Sequence, residues 1–247
     1  MYFQIPDSQV RVLGSMHIVP FGAEPLPKWA EEAYDWAADL IVEHEPLELL
    51  PFFKGANSIR NFLSQATYEQ LQAVWPEQGP LGPLVQLRPW AALLGVSAIF
   101  QRTSAGIEPT LMRRAASDGK RIRHLETPNE VSTSFDSADI AEVEAGINFV
   151  LSNRDLAQTK LEEMHAAWVS RDRSKLFEVA KAAPIFVYPT LREAVLENRN
   201  RAWVPVIEEL LKQDQPTLVV VGAFHLCGPG NIEELLGRSF VPMHSVG

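Results

Sequence analysis

A short motif occurs near both ends of the chain, each time directly after an apolar run. Gly14-Ser15-Met16-His17 follows residues 10–13, and Gly222-Ala223-Phe224-His225 follows residues 218–221. Runs rich in β-branched residues and bounded by turn residues are the pattern of parallel strands buried on both faces. The glycine lets the backbone turn sharply at the carboxyl end of the strand, where ligands sit in open α/β sheets. Two histidines delivered in this way can meet over a single metal ion.

Composition is compatible with one α/β domain spanning residues 1–247. With 46% apolar and 21% charged residues, the chain can bury a substantial core and has no disordered character. The net charge of −9 argues against a nucleic-acid partner, because phosphate binding needs a basic surface. The basic cluster Arg113, Arg114, Lys120, Arg121 and Arg123 is read as a solvated face at a helix end and strand start. Cys227 is the only cysteine, so an intrachain disulfide is excluded. No run approaches the ~18 apolar residues of a membrane span. Residues 1–5 lack the regions of a signal peptide and are read as a first edge strand. A cytoplasmic chain is the expectation.

Pro25-Leu26-Pro27 leads into an amphipathic helix over 28–40, with Trp29, Ala33, Trp36 and Leu40 at helical spacing. A strand over 39–43 follows, so the first ~45 residues read as a strand-helix-strand unit. The middle is mostly helical, with helices over 67–75, 89–100 and 109–117, the last closed by Asp118-Gly119. A strand over 121–125 runs into Glu126, and two amphipathic helices cover 139–151 and 156–169. Thr190 with Glu193 has the spacing of a capping box opening the longest helix, to about residue 212, with a bend before Pro205. A strand over 217–221, the second motif, a helix over 231–236 and a strand from 240 repeat the logic of the first third. The fold class is therefore mixed α/β: pseudo-symmetric strand-helix-strand halves forming a central sheet, with a helical middle block.

His17 and His225 are the first candidates for chemistry, although loop histidines are often satisfied by a neighbouring carbonyl. Glu43 closes a buried run, where an isolated carboxylate is costly unless a metal or an arginine partners it; a solvated strand end is the simpler alternative. Glu126 repeats the arrangement. Two imidazoles and a carboxylate suit Zn, Mn, Co or Fe, and a second carboxylate can serve as general base. One ion bound by both imidazoles requires them to lie within about 8 Å. Arg201 pairs with Glu197 at i−4, whereas Arg199 has Val195 there and can turn inward toward an anion; Asn200 is its neighbour. Cys227 is read as a small buried residue. Trp29, Trp36, Trp168 and Trp203 are read as core. His44, His124, His165 and His244 show no partner pattern, though His44 adjoins Glu43 and can support it.

At these residues the chain resembles the TraB/GumN family, which includes the Tiki proteases. The matching stretches are Leu13 to His17, Pro25-Leu26-Pro27 and Leu40 to Glu43, then Gly106-Ile107-Glu108, Ala115 and Leu125-Glu126-Thr127. Arg199-Asn200 with Trp203, and Val221 to Leu226 with Gly228 and Gly230, complete the series. The resemblance implies a fold akin to erythromycin esterase-like and ChaN-like proteins and, for the Tiki branch, peptide hydrolysis supported by manganese or cobalt. It implies a metal site of His17, Glu43 and His225, with Glu43, Glu126, Arg199 and Asn200 in the active site. Glu108 stands where the family often has Asp, and Cys227 where proline is common. The leading expectation is a metal-dependent hydrolase acting on a peptide or small-molecule substrate. The alternatives are a non-catalytic haem-, metal- or small-ligand-binding protein and a metal-independent ester or amide hydrolase.

Overall fold

In the computed structural model, which describes residues 1–23, 26–77 and 79–243, the two apolar runs lie side by side. In chain order the strands are β1 (Tyr2–Gln4), β2 (Val10–Ser15), β3 (Ile18–Pro20), β4 (Asp39–Val42), β5 (Thr103–Ala105), β6 (Arg121–His124), β7 (Thr217–Gly222) and β8 (Val241–Pro242). Six of them form a sheet in the order β6-β4-β7-β2-β1-β8, and β3 pairs with β5 in a separate ribbon. The four strands β6, β4, β7 and β2 are parallel. β1 and β8 extend the sheet in antiparallel pairings, so β1 is not the edge strand its position suggested.

Strict alternation explains why this sheet is covered on both sides. Leu13, Leu40, Val42, Leu218 and Val220 pack with Trp29, Ala33 and Leu111 on one face. Val12, Ile41, Val219 and Val221 pack with Trp203 and Ile207 on the other. Each fully buried Val or Leu contributes about 1.5–3 kcal/mol, so the parallel strands are the rigid frame. A further core around Trp90, Val143 and Ile147 joins the central helices Pro89–Ile99 and Ile140–Ser152.

The mixed α/β fold is as expected, with three local differences. First, β2 and β4 are not neighbours: β7 lies between them. The helix after β3 stops at Trp36, and the Ala38 and Asp39 N–H groups donate to Pro216 at the entrance to β7. Second, the helix expected from 109 runs Ile107–Asp118 and so includes Glu108. Pro109 is accommodated in its first turn, and Gly119, at φ 71°, closes it in the left-handed conformation. Third, Thr190 and Glu193 form no capping box. Glu142 of a neighbouring helix takes the Thr190 hydroxyl at 2.5 Å and its N–H at 2.7 Å. The segment starts instead at Pro189, widens to a π turn over Glu193–Glu197 and continues as Asn198–Leu210 with Pro205 inside. A capping box does form at Thr127 and Glu130.

The basic cluster lies at the surface, as expected, and most of it is also paired within the chain. Arg114 bonds Asp35, Lys120 donates to the Tyr34 and Ala37 carbonyls, and Arg121 and Arg123 share buried Asp39. Among the described residues no helix is long and apolar enough to cross a membrane. Pro25 and His244 lie outside the described residues.

Candidate metal centre

The four parallel strands end on one edge, and each delivers a polar side chain there. His17 follows β2, Glu43 follows β4, Glu126 follows β6 and His225 follows β7. Glu43 continues the alternation of Ile41 and so points to the face covered by the helix Asn198–Leu210, which carries Arg199 and Asn200. The structure brings all six expected residues into one cluster of direct contacts. Five are buried, whereas the His17 side chain is 57% exposed.

Both imidazoles present Nε2 to the same atom. His17 Nε2 and His225 Nε2 each lie 3.7 Å from Glu43 Oε1, so they are at most twice that distance apart, inside the 8 Å limit. The Nδ1 atoms are fixed from behind. His17 Nδ1 donates to Glu108 Oε1 at 2.6 Å, and the Ser15 hydroxyl bonds the same oxygen. His225 Nδ1 meets Asn200 Oδ1 at 2.6 Å, while Asn200 Nδ2 donates to the Gly230 carbonyl at 2.8 Å. Trp203 packs over the His225 ring, with centroids 4.5 Å apart. Fixing Nδ1 in this way sets the tautomer and leaves Nε2 as the outward-facing nitrogen.

Glycines at two places make the cluster fit. A Cβ on Gly222 would stand 2.8 Å from His17 Nε2 and 3.3 Å from Glu43 Oε1, and the Gly222 N–H donates to Glu43 Oε1 at 2.5 Å. Gly106 donates its N–H to the His17 carbonyl at 2.9 Å, and a Cβ there would collide with the backbone of Met16 and His17.

Arg199 is the hub. Its Nε donates to Glu126, its Nη2 to both Glu43 Oε2 (2.5 Å) and Glu126, and its Nη1 to the Val195 carbonyl (3.2 Å) and His225 Nε2 (3.3 Å). All five guanidinium donors are thus engaged. Burial works against its charge, but Glu43 and Glu126 outweigh this and raise its pKa.

The same field sets the other groups. Burial opposes the Glu43 charge, yet Arg199, His17, His225 and the Gly222 N–H hold its carboxyl far below the usual range. Glu108 is likewise lowered, with His17 and Ser15 outweighing burial. Burial, helped by Arg199 and His17, lowers the His225 pKa to about 3 against the pull of Glu43. That ring is therefore neutral, and its Nε2 lone pair accepts from Arg199 Nη1 at 3.3 Å, a contact that an ion at Nε2 would replace. Desolvation disfavours the His17 proton, but Glu108 and Glu43 outweigh it and raise its pKa; solvent on the exposed side damps the effect.

Sequence reasoning placed neither Glu108 nor Ser15 in the site. The signal for Glu108 was the glycine two residues before it, but a helix expected to begin at Pro109 left it outside. His44 is also close: its Nδ1 is buried without a partner, 3.6 Å from Glu126 Oε1. Among the described residues, the group whose donor atoms all lie within 4.8 Å of one another is Glu43, His44 and Glu126. Cys227 stays outside the cluster, its thiol donating to the Ala223 carbonyl at 3.2 Å.

A family model described as the TraB/PrgY/gumN family matches residues 4–239. The chain belongs to this family. In this TraB/PrgY/gumN protein His17, His225, Glu43, Glu126, Arg199 and Asn200 lie together. No curated protein and no solved structure matches the chain.

Proposed function

We propose that this chain is a metal-dependent hydrolase, with peptides as its substrates and manganese or cobalt as its metal, held by His17, Glu43 and His225. The observation that carries the reading is the convergence of two Nε2 atoms, each fixed through Nδ1, on one carboxylate oxygen. Gly222 lies at that same point, where a Cβ would crowd His17 Nε2 and Glu43 Oε1. Charge supports the assignment as well. With His17 protonated, Glu43, Glu108 and Glu126 against Arg199 leave one negative charge, and a divalent cation in place of that proton leaves none.

A divalent ion bound there supplies Lewis-acid polarisation of a carbonyl and a more acidic water. The protein supplies the rest. An ion would stand about 2.1 Å from each nitrogen, and His17, more than half exposed, is the ring with room to adjust to it. Glu108 and Asn200 orient the imidazoles. Arg199 holds Glu43 and Glu126 as a brace, and Glu126 acts in this reading through Arg199.

The test is peptide cleavage by the manganese- or cobalt-loaded chain. Loss of at least about 100-fold in turnover is expected in both His17→Ala and His225→Ala; normal turnover in either removes the proposed centre. One observation favours a second reading. His17, backed by Glu108, would once deprotonated be placed to activate water without metal in an ester or amide hydrolase. Full activity after chelation would select that reading.

A further inference from the structure

We infer that the Arg199 guanidinium serves as a second, built-in cation of this centre: it fills a pocket of Glu43, His44 and Glu126 that would otherwise hold a divalent ion, and so limits the cluster to one metal. The functional meaning rests on the metal-centre reading above, but the geometry stands apart from it. Glu43 faces two ways. Its Oε1 looks toward the GxxH imidazoles and its Oε2 takes the guanidinium. On that second side, Glu43, His44 and Glu126 offer donor atoms within 4.8 Å of one another. Two carboxylates and an imidazole at that spacing are a hard-cation donor set. A carboxylate shared between two cation positions is the usual layout of a two-ion site.

Arg199 occupies the second position. It is buried, spans both carboxylates and has no free donor. His44 Nδ1 lies 3.6 Å from Glu126 Oε1, buried and without a hydrogen-bond partner. With its five donors engaged by Glu43, Glu126, Val195 and His225, the guanidinium has none left for the His44 nitrogen, which accounts for the orphaned atom. The pocket therefore carries the donor for an ion that the arginine displaces.

The test counts bound manganese on the purified full chain by equilibrium dialysis and elemental analysis. Arg199→Ala and Arg199→Gln should each bind one Mn²⁺ per chain more than the wild type. Arg199→Lys, which keeps a cation, should gain none. Adding His44→Ala to Arg199→Ala should remove the extra ion alone. No gain in a folded Ala or Gln variant, or a gain that survives His44→Ala, overturns the inference. A wild-type plateau of two ions overturns it as well, and decides the matter if neither variant folds. A wild type that binds none, with one ion in Arg199→Ala, sinks the His17–Glu43–His225 centre while leaving this inference standing.

Discussion

Gly222 has backbone angles of φ −52° and ψ 136°, which any residue can adopt, so its glycine answers a need for space. The space is that between His17 Nε2 and Glu43 Oε1. Gly222→Ala should therefore fold, with Tm within a few degrees of wild type, and lose manganese affinity by about 10- to 100-fold. Calorimetry of the two proteins side by side checks both halves; unchanged affinity would mean that the metal sits elsewhere. Cys227 makes the opposite case of a residue whose chemistry is silenced. Burial pushes its thiol up to about 12 against the pull of Arg173, and the thiolate is the reactive form. A thiol reagent at pH 8 should leave the folded chain unlabelled and modify it fully on unfolding. Rapid labelling of the native chain would contradict the burial.

Among the elements, the ribbon of β3 and β5 has the most direct hold on the centre. His17 precedes β3 and Gly106 follows β5, and the two are joined by a hydrogen bond. A Cβ on Gly106 would lie 1.9 Å from the Met16 carbonyl oxygen, and backbone cannot yield as a flexible side chain does. Gly106→Ala is expected to cost about 1–3 kcal/mol, to lower Tm by several degrees and to weaken metal binding by displacing His17. A variant with unchanged melting and unchanged affinity would show that this contact is not part of the native structure. Helix ends were readable where the signal is local. Asp139, Asn231 and Gly119 cap as their types require. Thr190 was misread because its hydroxyl is claimed by Glu142 from another helix, and the π turn that follows has no residue signature. That turn immediately precedes Arg199 and Asn200, a placement typical of π turns at functional sites.

At the scale of the whole molecule, the buried centre should set the acid limb of stability. His225 has a folded pKa of about 3 against an ordinary 6.5. Its neutral state thus contributes stability that is present above pH 6.5 and lost as pH falls toward 3. The slope is at most about 1.4 kcal/mol per pH unit. Metal-free His225→Gln should show a shallower fall in Tm between pH 6.5 and 4.5 than the metal-free wild type; parallel curves would show that His225 is not held neutral. His17, Glu43, Glu126 and His225 were legible as candidates because each stands at a strand end, and Arg199 because Val195 leaves it without an acidic partner at i−4. Asn200 was carried by the family resemblance alone. Their meeting was not legible, since it depends on the strand order, and strand order is set by pairings between the first and last thirds of the chain.

The place of β7 in that order has a consequence for how the protein is made. Before residue 217 emerges from the ribosome, the sheet can exist only as two separate pairs, β1 with β2 and β4 with β6. Each pair has an open edge of the kind that invites wrong partners. The last third of the chain then enters as a wedge between them, pairing with both at once. Such long-range closure is slow. A chain stalled or cut short of β7 is therefore a sticky pair of half-sheets that lacks His225 and leaves His17 apart from Glu43 and Glu126, a target for chaperones and proteases with no partial activity to lose.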